Sequence, residues 1–171
     1  MNGLQKQLFT VICALMQSDG FSETVKNGAI RYGFLNYIAK YSLAKDRYSV
    51  TPAAKKHLET NRFVIDRGLR RGLKSKRNGF TYEHPIPANV VADELLSKLD
   101  DLGHAKRVLE WADMVTVLTI EEDQRLSGIL RSKMPHDWRY FDSDRYARYA
   151  HANIDTNECL KEIPVFGAIK R

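Results

Sequence analysis

Two short stretches of this 171-residue chain carry side chains that could do chemistry together. The first, Phe80-Thr81-Tyr82-Glu83-His84-Pro85-Ile86-Pro87, is a β-prone run that ends in an adjacent carboxylate and imidazole and is stopped by proline. The second, Val115-Thr116-Val117-Leu118-Thr119-Ile120-Glu121-Glu122-Asp123, is a β-prone run feeding a helix that opens with three acids. Brought to one place, an imidazole base and two carboxylates around a divalent cation meet the needs of metal-assisted phosphodiester hydrolysis. Each stretch also has a plain structural reading. Glu-His before Pro-x-Pro closes a strand, with His84 bonded to the backbone. Acids at a helix N-terminus complement its partial positive charge, by about 0.3–1 kcal/mol each.

A basic block precedes the first stretch. Residues 62–77 hold Arg62, Arg67, Arg70, Arg71, Lys74, Lys76 and Arg77 against Asp66 alone. On a helix, Arg67, Arg70, Arg71 and Lys74 fall at i, i+3, i+4 and i+7, so they share one face. That spacing lays cations along a phosphate backbone, a contact that positions a nucleic acid without reading its bases. The bland alternative is a solvated helix face. A third group lies at residues 142–151, where Arg145 and Arg148 sit among Tyr146 and Tyr149. Arginine beside aromatics can hold a phosphate or an unstacked base. Alternatively, Tyr146 and Tyr149 form a C-terminal cap on the core. His57, His104, His136 and His151 have no spacing that pairs them as ligands and read as surface or packing residues.

The elements that must position these groups follow from apolar periodicity. Leu4, Leu8, Val11, Ile12 and Leu15 predict a first helix over 3–18, closed by Asp19-Gly20. Ser22 caps a second helix to about residue 43. Residues 47–50 are β-prone, and Thr51-Pro52 starts a third helix to about residue 61, the proline standing where its missing N–H costs nothing. A basic helix over 62–74 and the turn Asn78-Gly79 lead into a strand at 80–83. Helices over 87–100 and 104–112 separate it from a strand at 114–119. Thr119-x-x-Glu122 is a capping box that opens a helix to about residue 132. A short helix over 144–152 follows. The fold class is α+β, mainly α: a helical support region at 1–61, then the basic helix, the two strands and an aromatic cap at 62–171. In outline alone, the N-terminal third also resembles a winged-helix module.

Composition bounds the rest. The chain is 43% hydrophobic and 28% charged, with a net charge of +6, ordinary for a globular domain. The charge is uneven, with the basic block beside an acidic C-terminal half, an arrangement suited to a polyanion next to an acid or metal site. No apolar run approaches the roughly 20 residues that span a bilayer. Gln5, Lys6 and Gln7 interrupt the apolar start, which reads as an amphipathic helix rather than a signal peptide. Cys13 and Cys159, far apart, read as reduced thiols in a cytoplasm.

Strand, acid-His pair, proline, second strand, then a helix opening on acids: this order over residues 80–131 resembles the HNH, or ββα-metal (His-Me finger), endonucleases. Members often write the last part as a β run, Thr-x-Glu-Glu-His and a leucine; here it is Leu118-Thr119-Ile120-Glu121-Glu122-Asp123-Gln124-Arg125-Leu126. The resemblance implies a ββα finger, here with a segment between its strands, Ala88 to Asp113, longer and more helical than in compact members, and a metal-dependent endonuclease acting on DNA rather than RNA. It implies His84 as the general base, with Glu83 and Asp123 (or Glu122) as ligands of Mg²⁺ or Mn²⁺, cations that prefer oxygen ligands. Arg67, Arg70, Arg71, Lys74, Lys76, Arg77, Arg145 and Arg148 would track the nucleic acid. Two departures stand out: Asp123 replaces the family's final histidine, and its bracing asparagine falls at Met114. Lost ligands open the alternative of a non-catalytic factor on a decayed scaffold. Such a factor would bind nucleic acid or a nucleic-acid-handling complex, as a phage anti-defence inhibitor does.

Overall fold

A computed structural model of the chain describes residues 1–28, 30–60, 79–156 and 162–164. The basic block, with Arg67, Arg70, Arg71, Lys74, Lys76 and Arg77, lies outside the described residues, as does Cys159. The fold is α+β and mainly helical, as composition and periodicity predict. Helix α1 (Gly3–Met16) starts in a capping box between Asn2 and Gln5. The expected second helix is two: α2 (Phe21–Lys26) and α3 (Arg31–Leu43). Gly20, at φ +70°, precedes α2 in place of a Ser22 cap, and Gly28, at φ +83°, follows it. Only glycine takes that left-handed backbone without strain, so Asn27-Gly28 stops a helix that apolar spacing alone carries through.

Strand β1 (Arg47–Val50) follows, then α4 (Pro52–Thr60), β2 (Phe80–Glu83), α5 (Ala88–Ser97) and α6 (Leu102–Trp111). Strand β3 (Thr116–Thr119), α7 (Ile120–Leu130), the short α8 (Ala147–His151) and β4 (Glu162–Pro164) complete the order. The sheet runs β2-β3-β1-β4. β3 pairs parallel with β1 and antiparallel with β2, Phe80 opposite Thr119 and Glu83 opposite Thr116. β1 lies between β3 and β4, so among the described residues its strand partners come from outside the N-terminal third.

Among the described residues, three apolar clusters fill the interior. Ile12, Met16, Phe21, Phe34 and Ile38 from the first three helices pack with Val91, Leu95, Val108 and Leu109 from α5 and α6. This joins elements on both sides of the predicted division at residue 61. Along β3 the side chains alternate, as a pleated strand requires. Val117 faces Tyr48, Ala54, Leu58 and Phe80 beneath α4, while Leu118 faces Leu126, Tyr146 and Tyr149 beneath α7 and α8. Tyr146 and Tyr149 therefore cap the core, 8% and 0% exposed. Among the described residues no helix is long and apolar enough to cross a membrane.

Glu122 ties the two layers together. Its Oε2 accepts from Thr119 N at 2.9 Å, from Thr119 Oγ1 at 3.2 Å and from Thr51 Oγ1 at 2.8 Å. Thr51 in turn accepts from Ala54 N, capping α4. One buried carboxylate thus braces the start of two helices. Glu122→Ala, which strands Thr51 and the α7 cap, should lower unfolding stability by about 1–3 kcal/mol in urea titration. Glu122→Gln, which keeps one acceptor, should lose less.

Candidate functional site

Glu83 and His84 both border an open cleft of about 510 Å³, with Arg31, Asn89, Arg131 and Ser132. The pair diverges as neighbours in an extended chain must. Glu83 lies opposite Thr116 on the sheet face under α7 and α8, and its carboxylate goes to Arg148. The His84 imidazole turns to α3, its Nε2 3.1 Å from Ala39 O. A carbonyl only accepts, so Nε2 carries the proton in this contact.

Arg148 is the centre of this region, and it is not where its predicted role needs it. The side chain is 0% exposed, so it cannot touch a nucleic acid. Its guanidinium spends its donors inside the protein. Nε and Nη2 donate to Leu130 O at 3.0 and 2.7 Å, and Nη2 also to Arg131 O at 3.0 Å. Nη1 donates to Glu83 Oε1 at 3.1 Å, to His84 O at 3.0 Å and, more weakly, to Pro85 O at 3.4 Å. The orphan carbonyls at the end of α7 and the exit of β2 are thereby satisfied by one planar donor set, a task suited to arginine. Arg145 is exposed, with Nη1 3.4 Å from Trp111 O, and stays available to solvent.

Burial pushes the Glu83 carboxyl up, to about 7, against the opposing pull of the Arg148 guanidinium; the nearby Asp123 charge adds to the rise. Its side chain keeps 18% exposure at the cleft. The Tyr149 hydroxyl lies beside both Glu83 and Thr116. Yet Glu83 Oε2, Thr116 Oγ1 and Tyr149 Oη, all buried, form no well-aligned hydrogen bond among the described residues.

The acid triplet is dispersed. Glu121 is exposed, Glu122 is the doubly used cap, and Asp123 is half-buried. Burial raises the Asp123 carboxyl, while Arg131 and Arg148 pull it down. Register explains the dispersal. Thr119, where α7 starts, pairs with Phe80, three residues from Glu83 or about 10 Å along the strand. Helix α7 then runs back over the sheet, so its C-terminal end, through Arg131, borders the cleft. Asp113 accepts from Gln5 Nε2 at 3.0 Å, and His136 is exposed beside Asp137, so neither completes a ligand set here. Among the described residues no three His, Cys, Asp or Glu side chains are placed to hold a metal ion. Of the implied ligands of Mg²⁺ or Mn²⁺, Glu122 spends its Oε2 on Thr51 and Thr119, Asp123 is half-buried, and Glu83 gives Oε1 to Arg148 while its Oε2 has no hydrogen-bond partner among the described residues.

Sequence reasoning missed Arg31, Asn89 and Arg131 as cleft residues, since they come from three helices brought together only by tertiary packing. It also misread Arg148; the signal was an arginine set between two buried tyrosines. Met114, at the bracing-asparagine position, is 9% exposed and packs in the apolar cluster under α7. Compared with known proteins, the chain matches no family model, no curated protein and no solved structure.

The raised Glu83 carboxyl has a pH signature. A folded-state value of about 7, above the ordinary 4.5, means the native state holds this proton more tightly than the unfolded chain. Its contribution is full below about pH 4.5 and is lost as pH rises through about 7. Denaturant titrations across this window should show wild-type stability falling relative to Glu83→Gln as pH increases. A constant difference would mean that Glu83 keeps an ordinary carboxyl.

Proposed function

We propose that this chain grips nucleic acid through its phosphates and does not cut it. The observation that carries the reading is the commitment of Glu83 to buried Arg148. With that carboxylate engaged, the cleft presents Arg31 and Arg131, the donors Asn89 and Ser132, and the start of α5, which no side chain among the described residues caps. Uncapped first-turn N–H groups and two guanidiniums favour a phosphate oxygen. Arg31 is held in place by Asp93 at 2.9 Å while staying 32% exposed. The basic run at 62–77 immediately precedes the strand that ends at the cleft, and its charge adds to the same attraction. Binding a nucleic-acid-handling complex remains the protein-partner form of this reading.

A specific observation favours the second reading, a metal-dependent endonuclease. β2 and β3 pair antiparallel, α7 follows and packs on both, and His84 stands at the strand end beside the cleft. That is the order of parts in HNH enzymes, with DNA as substrate and Asp123 in the final ligand position.

One set of measurements separates them. Affinity for a short DNA duplex should fall steeply with salt. Arg31→Ala with Arg131→Ala should weaken it and flatten the log–log slope by roughly 0.9 for each phosphate no longer neutralised. Plasmid incubated with Mg²⁺ or Mn²⁺ should stay intact. Nicking that disappears in both His84→Ala and Asp123→Ala would transfer the case to the endonuclease, and salt-indifferent or absent binding would remove the phosphate grip.

A further inference from the structure

A second pocket lies at the other end of α5, about 15 Å from the first by the rise of a ten-residue helix. Its volume is about 380 Å³, and Glu94, Lys98, His104, Arg107, Tyr140 and Phe141 line it. Behind it stands an aromatic cluster. Trp111 has Trp138, Tyr140 and Phe141 at ring-centre distances of 5.6, 5.2 and 5.5 Å. The segment carrying three of these rings is tied by Ser143 N to Arg139 O at 3.1 Å and by Trp138 Nε1 to Asp144 O at 2.9 Å. At its apex Phe141 takes φ +69°, a conformation that bulky side chains rarely adopt, and its ring stays 44% exposed.

The walls hold unused polar groups. Tyr140 Oη is buried with no hydrogen-bond partner among the described residues. Burial and the Glu94 carboxylate raise the Tyr140 phenol, so its proton is retained for donation at neutral pH. His104 is 3% exposed, and its Nε2 lies 2.9 Å from Glu94 Oε1 but off the direction of a hydrogen bond. Buried polar atoms are normally paired, so the unpartnered Tyr140 Oη, beside the His104–Glu94 pair, points to a ligand with a hydrogen-bonding edge. At the rim, Lys98 and Arg107 are exposed and form no ion pair among the described residues. Among the lining side chains two exposed cations face one carboxylate, Glu94, with the Asp101 carboxylate close to Arg107 behind them, and the exposed cations are what an anionic guest would meet. The volume sits near the small end of the roughly 300–1,000 Å³ range of ligand pockets, too small for a duplex.

We propose that this pocket binds one nucleotide: the base stacks on the exposed face of Phe141 with its edge toward Tyr140 Oη and His104 Nε2, and the phosphate meets Lys98 and Arg107. The nucleotide is either an unstacked residue of a single strand or a free nucleoside monophosphate, since both offer the same ring and phosphate. The site shares no side chain with the basic cleft and stands whether or not that cleft holds DNA.

The chain has two tryptophans, Trp111 and Trp138, and both belong to this cluster, so all tryptophan emission reports on the pocket. The full chain is titrated with AMP, GMP, CMP and UMP, and separately with adenosine, inorganic phosphate and phenyl phosphate. The expected result is saturable quenching by at least one monophosphate, with adenosine and phosphate each about tenfold weaker or worse, the worth of one stacked base. Phe141→Gly should weaken binding by a similar factor with an unchanged or higher Tm, because glycine accepts φ +69°. Arg107→Ala, on an exposed residue, should weaken it without altering the emission of the free protein. Arg31→Ala with Arg131→Ala should leave quenching unchanged. A single-stranded oligonucleotide that competes with the monophosphate assigns the strand as the source; a monophosphate that it fails to displace assigns the free nucleotide. No response to any monophosphate at millimolar concentration overturns the proposal, as does phenyl phosphate binding as tightly as the best nucleotide.

Discussion

The interaction on which this architecture depends is the guanidinium of Arg148, sealed from solvent and bonded on every nitrogen. It meets the last carbonyls of α7, the carbonyls that follow β2 and the carboxylate of Glu83 at once. Isolating an arginine from water is costly unless its charge is compensated and its donors are filled. Here both conditions are met by the two segments that must be held together, so the charge specifies where α7 ends relative to the strand. The antiparallel pair of β2 and β3 and the apolar packing of Tyr146 and Tyr149 meet at the same junction.

The same junction shapes the chemistry on offer. A carboxylate at a strand end could bind a cation, but this one is engaged by a cation already inside the protein. What faces solvent beside it is positive and rich in donors, from Arg31, Asn89 and Arg131. The other end of α5 has a different character, with aromatic rings, a rim of two cations and a buried phenol that lacks a partner among the described residues. On the proposed reading, the first would meet phosphates and the second a single base, both from one helix.

Local features were legible in the sequence where one short segment decides them. Thr51-Pro52 starts α4, Thr119-x-x-Glu122 forms its capping box, and residues 80–83 and 116–119 are strands. The split at Asn27-Gly28 was missed because the apolar pattern continues across a glycine that must take positive φ. The site was less legible, for two reasons. Alternation sends Glu83 and His84 apart although they are adjacent, and antiparallel register sets Thr119, where the acid-rich helix starts, opposite Phe80, so that Asp123, a turn further on, is the acid whose charge reaches Glu83. Arg148 looked like a surface cation because composition cannot tell a buried, fully bonded guanidinium from a solvated one. The aromatic run at 138–141 was visible, but its partner Trp111 and the buried His104 join it only through packing.

The most direct test of the account is a double-mutant cycle on Arg148→Met and Glu83→Met, read by urea unfolding above the Glu83 value of about 7, where its carboxyl is ionised. A paired carboxylate and guanidinium predict that the double variant is more stable than the two single losses added together, with a coupling of about 1–3 kcal/mol. Additivity within about 0.5 kcal/mol would contradict it, for Glu83 would then be energetically independent of Arg148 and open to another ligand.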